Sequence, residues 1–240
     1  MLGLIGWELR RIIGRKGSFF GVMGVLTAIA LLVAFLVDPI DQSAEVWASV
    51  LGGVLVLGGS VVGALAGSYD ASQGIMRYLV LTGVPRWALV LVRIPALVAA
   101  IFLIAVPALL IGAVAGAGGP DSADDLARGL AGGVLSGVIW SIVALVIGTL
   151  MRANGPAIAI SIVLYFVGGA ITAAIHEWVS EAIADLLLPN AAGVFVALGR
   201  PSEELQQMTN MGFATATVIV AVWLIGLSAL AVARVERDEY

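Results

Sequence analysis

The chain has 240 residues, 61% of them apolar and only 12% charged, where soluble domains carry about 25%. With a mean hydropathy of +1.09 and a net charge of −4, this is the composition of a polytopic membrane protein, and no stretch is long and polar enough for a separate soluble domain. The absence of cysteine excludes disulfides, thiolate metal sites and cysteine nucleophiles.

The length suits about six spans of roughly 20 residues each, in a single membrane domain over 1–240. Residues 1–16 come first. Trp7, Glu8, Arg10, Arg11, Ile12, Ile13 and Arg15 read as an amphipathic helix lying along the inner leaflet, with the indole at interfacial depth. The apolar run from Gly17 to Val37 is longer than a signal-peptide core and lacks a small-residue cleavage site, so it reads as an uncleaved span. Further spans are expected at roughly 47–68, 94–117, 129–150, 156–175 and 211–233, by the length needed to cross a bilayer. Gly59, Gly63 and Gly67 recur every fourth position in the second span, as do Gly17 and Gly21 in the first and Gly133 and Gly137 in the fourth. Such small-residue faces let backbones approach closely, and packing within one bundle is the expected use. Pro95 and Pro107 are expected to bend the third span.

Between the second and third spans, residues 69–87 are neither loop-like nor lipid-like. Asp70, Gln73 and Arg77 fall at i, i+3 and i+7, one face of a helix whose other side carries Ile75, Met76, Leu79 and Val80. Gly83 and Pro85 break that helix, and Arg86 and Arg93, seven apart, share a face of the next. Two readings stand here: a helix resting in the headgroups, or a rigid knob on which a soluble partner docks. The outer segment 176–210 holds a mixed stretch from Glu177 to Leu188 and an apolar piece, Ala191–Leu198. Eight apolar residues are too few to span, so this piece either dips in and returns or caps the bundle. Glu177, Glu181 and Asp185 fall at i, i+4 and i+8, a face expected to be solvated or cation-bound because like charges at that spacing repel.

Six spans place both termini on one side. Arg10, Arg11, Arg15, Lys16, Arg77, Arg86, Arg93, Arg152, Arg234 and Arg237 fall on that side, and only Arg128 and Arg200 opposite. The positive-inside rule then assigns the termini to the cytoplasm. A single lysine with abundant Arg, Gly, Ala and Val suggests a high-GC bacterial genome, hence a bacterial plasma membrane.

Several chemistries are missing their residues. A P-loop needs Gly-x-x-x-x-Gly-Lys-Ser/Thr, and the lone Lys16 sits between Arg15 and Gly17, so this chain is expected to bind no ATP. An intramembrane serine protease needs a Ser and His pair within the bundle. Ser136 has the wrong flanks, and the only histidine, His176, ends the fifth span. His176-Glu177 is followed by Ser180, so the His-Glu-x-x-His zinc motif fails. Few ionisable groups lie mid-span, which argues against proton or sodium coupling. No catalytic, cofactor or metal residue is expected, and no nucleic-acid partner.

Asp70-x-x-x-Gly74, the run Tyr78-Leu79-Val80-Leu81-Thr82-Gly83-Val84-Pro85-Arg86-Trp87 and then Arg93 resemble the cytoplasmic loop of ABC-2-type permeases. That loop reads Glu-x-x-x-Gly-Thr, a Leu-rich helix, Pro-Val-Ser-Arg and a Lys seven residues on. Here Asp70 stands for the Glu, Ile75 for the Thr, Gly83 for the Pro, Pro85 for the Ser and Arg93 for the Lys. The helix around Trp7-Glu8-Leu9-Arg10-Arg11 and the extended outer segment before span six also resemble the family. The resemblance implies the membrane-spanning subunit of an exporter, with a coupling helix between spans two and three seated in a cleft of a separate ATP-binding cassette subunit. It further implies a second permease copy or homologue, and a lipid-like, peptide or drug-like cargo. Asp70, Gln73, Arg77 and Arg86 would make the coupling contact, with Gly83 and Pro85 setting its angle. The alternative is a non-ATP channel or an accessory subunit of a membrane complex.

Overall fold

The computed structural model describes residues 2–38, 43–75, 83–117, 121–197 and 211–237, and within these every regular element is a helix. In chain order they are α1 (Leu2–Gly14), α2 (Lys16–Leu36), α3 (Ala44–Ser72), α4 (Arg86–Leu91), α5 (Arg93–Gly116), α6 (Ala123–Met151), α7 (Asn154–Trp178), α8 (Glu181–Asp185), α9 (Leu188–Ala197) and α10 (Phe213–Arg237). Six are long and apolar enough to cross a membrane: α2, α3, α4 running into α5, α6, α7 and α10. The protein is an all-α multi-pass membrane protein.

The bundle is built around α3 and α6, each 29 residues long. Both start on the face opposite the termini, so they run parallel, with one span between them in sequence. Glycines make the approach possible. Built onto Gly63, a Cβ would lie 2.1 Å from the Ser141 carbonyl oxygen, and on Gly67 it would lie 2.1 Å from that of Leu145. The favour is returned from α6, where Gly129, Gly133 and Gly148 face the carbonyls of Ala44, Ala48 and Ala64. With both sides apolar in lipid and in protein, this close packing is what holds two such helices together. Gly59, Gly63, Gly67, Gly133 and Gly137 thus pack inside one bundle, as expected, whereas Gly17 and Gly21 meet nothing.

Caps at the far face fix the pair's register. Ser43 and Ser122 accept from Val46 and Asp125 backbone N–H groups at 3.3 Å, and the Ala44 N–H donates to Asp121 Oδ2 at 2.6 Å. Around the pair, α5 packs against α1, α2, α3 and α6, while α7 and α10 lean on α6 from other sides. Three outer helices, α2, α7 and α10, leave most of their apolar surface uncovered, with Phe35, Phe166 and Ile225 among the exposed side chains. That is the expected state of a face solvated by lipid. Pro95 has no N–H for the Leu91 carbonyl, and the chain breaks there into α4 and α5; Pro107 sits inside α5 without ending it.

The outer segment dips in and returns. Helix α7 ends at Trp178, α8 is one turn, and the Trp223 indole N–H donates to the Leu186 carbonyl at 2.9 Å. Trp223 lies ten residues into α10, about 15 Å below its outer end at 1.5 Å per residue. From there α9 climbs back, and Phe195 meets Phe213 at that outer end with ring centroids 5.2 Å apart. Leu188, Ala191 and Phe195 bury against Val56, Trp140 and Val220. Because the chain breaks at Val179–Ser180, Glu177 does not share one continuous helix with Glu181 and Asp185. Residues 198–210, with Arg200, lie outside the described residues.

Candidate functional site

The face carrying the termini gathers the ends of α1, α3, α5, α6 and α10, and here the chain concentrates its buried charge. Asp70, the expected docking carboxylate, is 1% exposed. Arg11 of α1 and Arg93 at the start of α5 grip it from two sides, each through a guanidinium N–H. Glu8 completes the group, accepting from Arg11 at 2.9 Å and standing 3.5 Å from Arg93 Nε. A third bond from Arg93 reaches the Gly67 carbonyl at 3.3 Å. Two acids and two arginines therefore tie three helices together in a protein interior, where each charge is tolerable only because its partners are present. Arg15 lies over the Tyr69 ring, 4.2 Å from its centroid. Burial, with Arg11 beside it, pulls that guanidinium below its ordinary range, against the opposing pull of Asp70 and Glu8.

This arrangement changes the reading of the loop. Asp70, Gln73 and Arg77 were expected on one face of a separate amphipathic helix. Instead Asp70 belongs to the last turn of α3, which Gly74 terminates. The Gly74 φ is +68°, the Ile75 N–H donates to the Asp70 carbonyl, and the Gly74 N–H donates to that of Ala71. That is the double bond pattern of a Schellman stop, and glycine supplies the left-handed residue at no steric cost. Gln73 is the exposed C-cap, past the end of the buried group. Arg77 lies outside the described residues, as does the rest of 76–82.

On the returning side, Gly83 takes φ +78° and Pro85 caps α4, its carbonyl accepting from Ala88 at 3.0 Å. These two residues lead directly into α4; the helix that they were expected to end lies outside the described residues. Arg86 and Arg93, expected on one face, serve different partners. Arg86 donates to the Glu236 carbonyl of α10 at 3.1 Å, and Arg93 turns inward to Asp70. Both feet of the loop are thus tied to the bundle. A second polar contact braces the same face, where Asn154 Oδ1 accepts from Ser68 at 2.7 Å and Ser72 at 3.3 Å.

Glu8 and Arg11, read from sequence as parts of a helix resting on lipid, are the residues whose role was missed. The signal available was the opposite charge of Asp70 and Arg93 at the two feet of one loop; nothing local pointed to α1. Among the described residues no group of His, Asp and Glu is placed to hold a metal. Trp7 and Trp87, both partly exposed, mark this face as an interfacial one, and Trp178 marks the other. Comparison of the chain with protein-family models, curated proteins and solved structures gives no match. The fold and the two tryptophan-marked faces define the class: a multi-pass, all-helical membrane protein with a charged, braced loop on its terminal face.

Proposed function

We propose that this chain is the transmembrane subunit of an ATP-driven exporter of the ABC-2 type, moving a lipid-like, peptide or drug-like cargo while a separate subunit hydrolyses ATP. The observation that carries this reading is the clamp on Asp70. The two charges that carry the family resemblance, Asp70 and Arg93, pair with each other and with α1. A partner pressing on the loop 73–85 would then move α1, α3 and α5 as one body, since parting buried ion pairs costs about 3–5 kcal/mol. Transport driven from outside the chain needs such a rigid link, because the partner must contact the permease differently in its two states. In this reading the terminal face is cytoplasmic, the membrane is a bacterial plasma membrane, and a second permease copy completes the transporter.

The docking contact is tested by Arg77→Glu with Arg86→Glu, measured with a candidate ATP-binding cassette subunit co-expressed with this chain. Arg86 begins α4 and the variant gives up its bond to the Glu236 carbonyl, so membrane insertion and helical content are measured beside turnover and are expected to be normal. Charge pairs at such contacts are worth roughly 1.5–7 kcal/mol in coupling, so partner-stimulated ATP turnover should fall at least about tenfold. The chain alone should hydrolyse no ATP. Normal insertion with undiminished stimulated turnover would refute the docking role.

Orientation is tested in a chain that has no native cysteine. Ser72→Cys should react with an impermeant maleimide only after the cell is opened, and Ala123→Cys, at the start of α6, in intact cells. The reverse pattern would invert the topology.

A further inference from the structure

The re-entrant segment leaves a cleft between α7 and α9 that the loop and its clamp do not use. Two cavities lie end to end along it, sharing Gly169 and Pro189 as a common wall. The deeper, about 330 Å3, is bounded by Ser136, Trp140, Tyr165 and Phe166. Trp140 and Tyr165 meet edge to face there with centroids 5.2 Å apart, and Tyr165 and Phe166 at 5.1 Å. The shallower, about 370 Å3, is bounded by Thr172, His176, Glu177 and Asn190. Asn190 donates to Asp185 Oδ1 at 2.8 Å.

Glu177 is the acid on the cavity wall, and Asp185, which lines neither cavity, stands behind Asn190. Among the described residues no arginine or lysine forms an ion pair with Glu177, Glu181 or Asp185. His176, whose Nε2 is buried without a hydrogen bond, and Asn190 are the polar groups nearest to hand. The cleft is thus acidic at its mouth and aromatic at its end, and aromatic faces attract cations as carboxylates do.

We propose that the α7–α9 cleft binds a lipophilic monocation, its apolar body against Trp140, Tyr165 and Phe166 and its charge toward Glu177 and Asp185. The site is independent of how any transport is energised. Binding to the purified chain, with no ATP-binding subunit present, therefore tests it apart from the exporter reading.

The probes are radiolabelled tetraphenylphosphonium and its anionic counterpart of the same shape, tetraphenylborate, in neutral maltoside micelles. Saturable, single-site binding of the cation is expected, with none of the anion. Glu177→Gln with Asp185→Asn should weaken cation binding at least tenfold, and the new amide can still accept from Asn190. Gly169→Leu should abolish it, since a Cβ at Gly169 meets nothing within 4 Å and the added side chain has the cleft to fill. Helical circular dichroism and a monodisperse elution profile establish that each variant is folded; should Gly169→Leu fail that check, the carboxamide pair decides. Equal saturation by both ions, no saturable binding by the wild type, or wild-type affinity in the carboxamide pair would each overturn the proposal.

Discussion

Arg93→Met will destabilise the protein by about 3–5 kcal/mol, the typical cost of removing one partner from a buried ion pair. Arg93 and Asp70 are 2% and 1% exposed, so water cannot replace the lost guanidinium. With it gone, Glu8 and Asp70 must share Arg11, leaving one carboxylate uncompensated. Met keeps most of the volume and the apolar contacts, which isolates the electrostatic effect. The second expectation follows from the charge count. Adding Asp70→Asn to Arg93→Met leaves the Glu8–Arg11 pair balanced, so the double variant should recover a large part of the loss. Dodecyl sulfate titration in mixed micelles, run as a double-mutant cycle, measures both. Strictly additive losses would show that the four groups do not act as a unit. Tryptic cleavage within α1 offers a second readout, because the clamp is what joins that helix to α3 and α5 on its charged side. It should accelerate in the single variant and slow again in the double.

Gly63→Ala should cost about 1–3 kcal/mol or more, an unusual penalty for one methyl group. The obstacle is backbone: the Ser141 carbonyl oxygen would lie 2.1 Å from the new Cβ, with its carbon at 3.0 Å. No rotamer change relieves that contact, so α3 and α6 must separate and lose packing along their length. Gly67→Ala meets the Leu145 oxygen at 2.1 Å and the Thr149 nitrogen at 2.7 Å, and the same outcome is expected. Gly53→Ala is the matched control. It lies on the same helix, its Cβ would meet nothing within 4 Å, and it should be neutral or mildly stabilising. If Gly53→Ala and Gly63→Ala unfold at the same dodecyl sulfate fraction, the α3–α6 contact does not hold the bundle together.

Much of this protein is dictated by its sequence. Helices in lipid must satisfy their own backbone, so an apolar run of span length is a helix whatever its neighbours do, and six such runs were legible as six spans. Gly83, Pro85 and the proline break before α5 act locally and were equally legible. For Ala191–Leu198 the sequence showed only that eight apolar residues cannot cross a bilayer; that α9 dips in rather than capping the bundle was decided by its packing against Val56, Trp140 and Val220.

What the linear pattern could not decide is which helices meet. Hydrophobicity distinguishes nothing inside a bundle whose solvent is itself apolar, so partner choice falls to the fit of small residues and to buried charge. The parallel pairing of α3 with α6, across one intervening span, is a product of that fit. Asp70 shows the same limit at one residue. At spacing i, i+3, i+7 it resembled one edge of an exposed helical face, but Gly74 stops the helix after one more turn and α1 folds back to bring Glu8 and Arg11 against it. A carboxylate's spacing along a helix is local; whether it faces water or two arginines depends on segments 59 and 23 residues away, and only the tertiary structure brings them together.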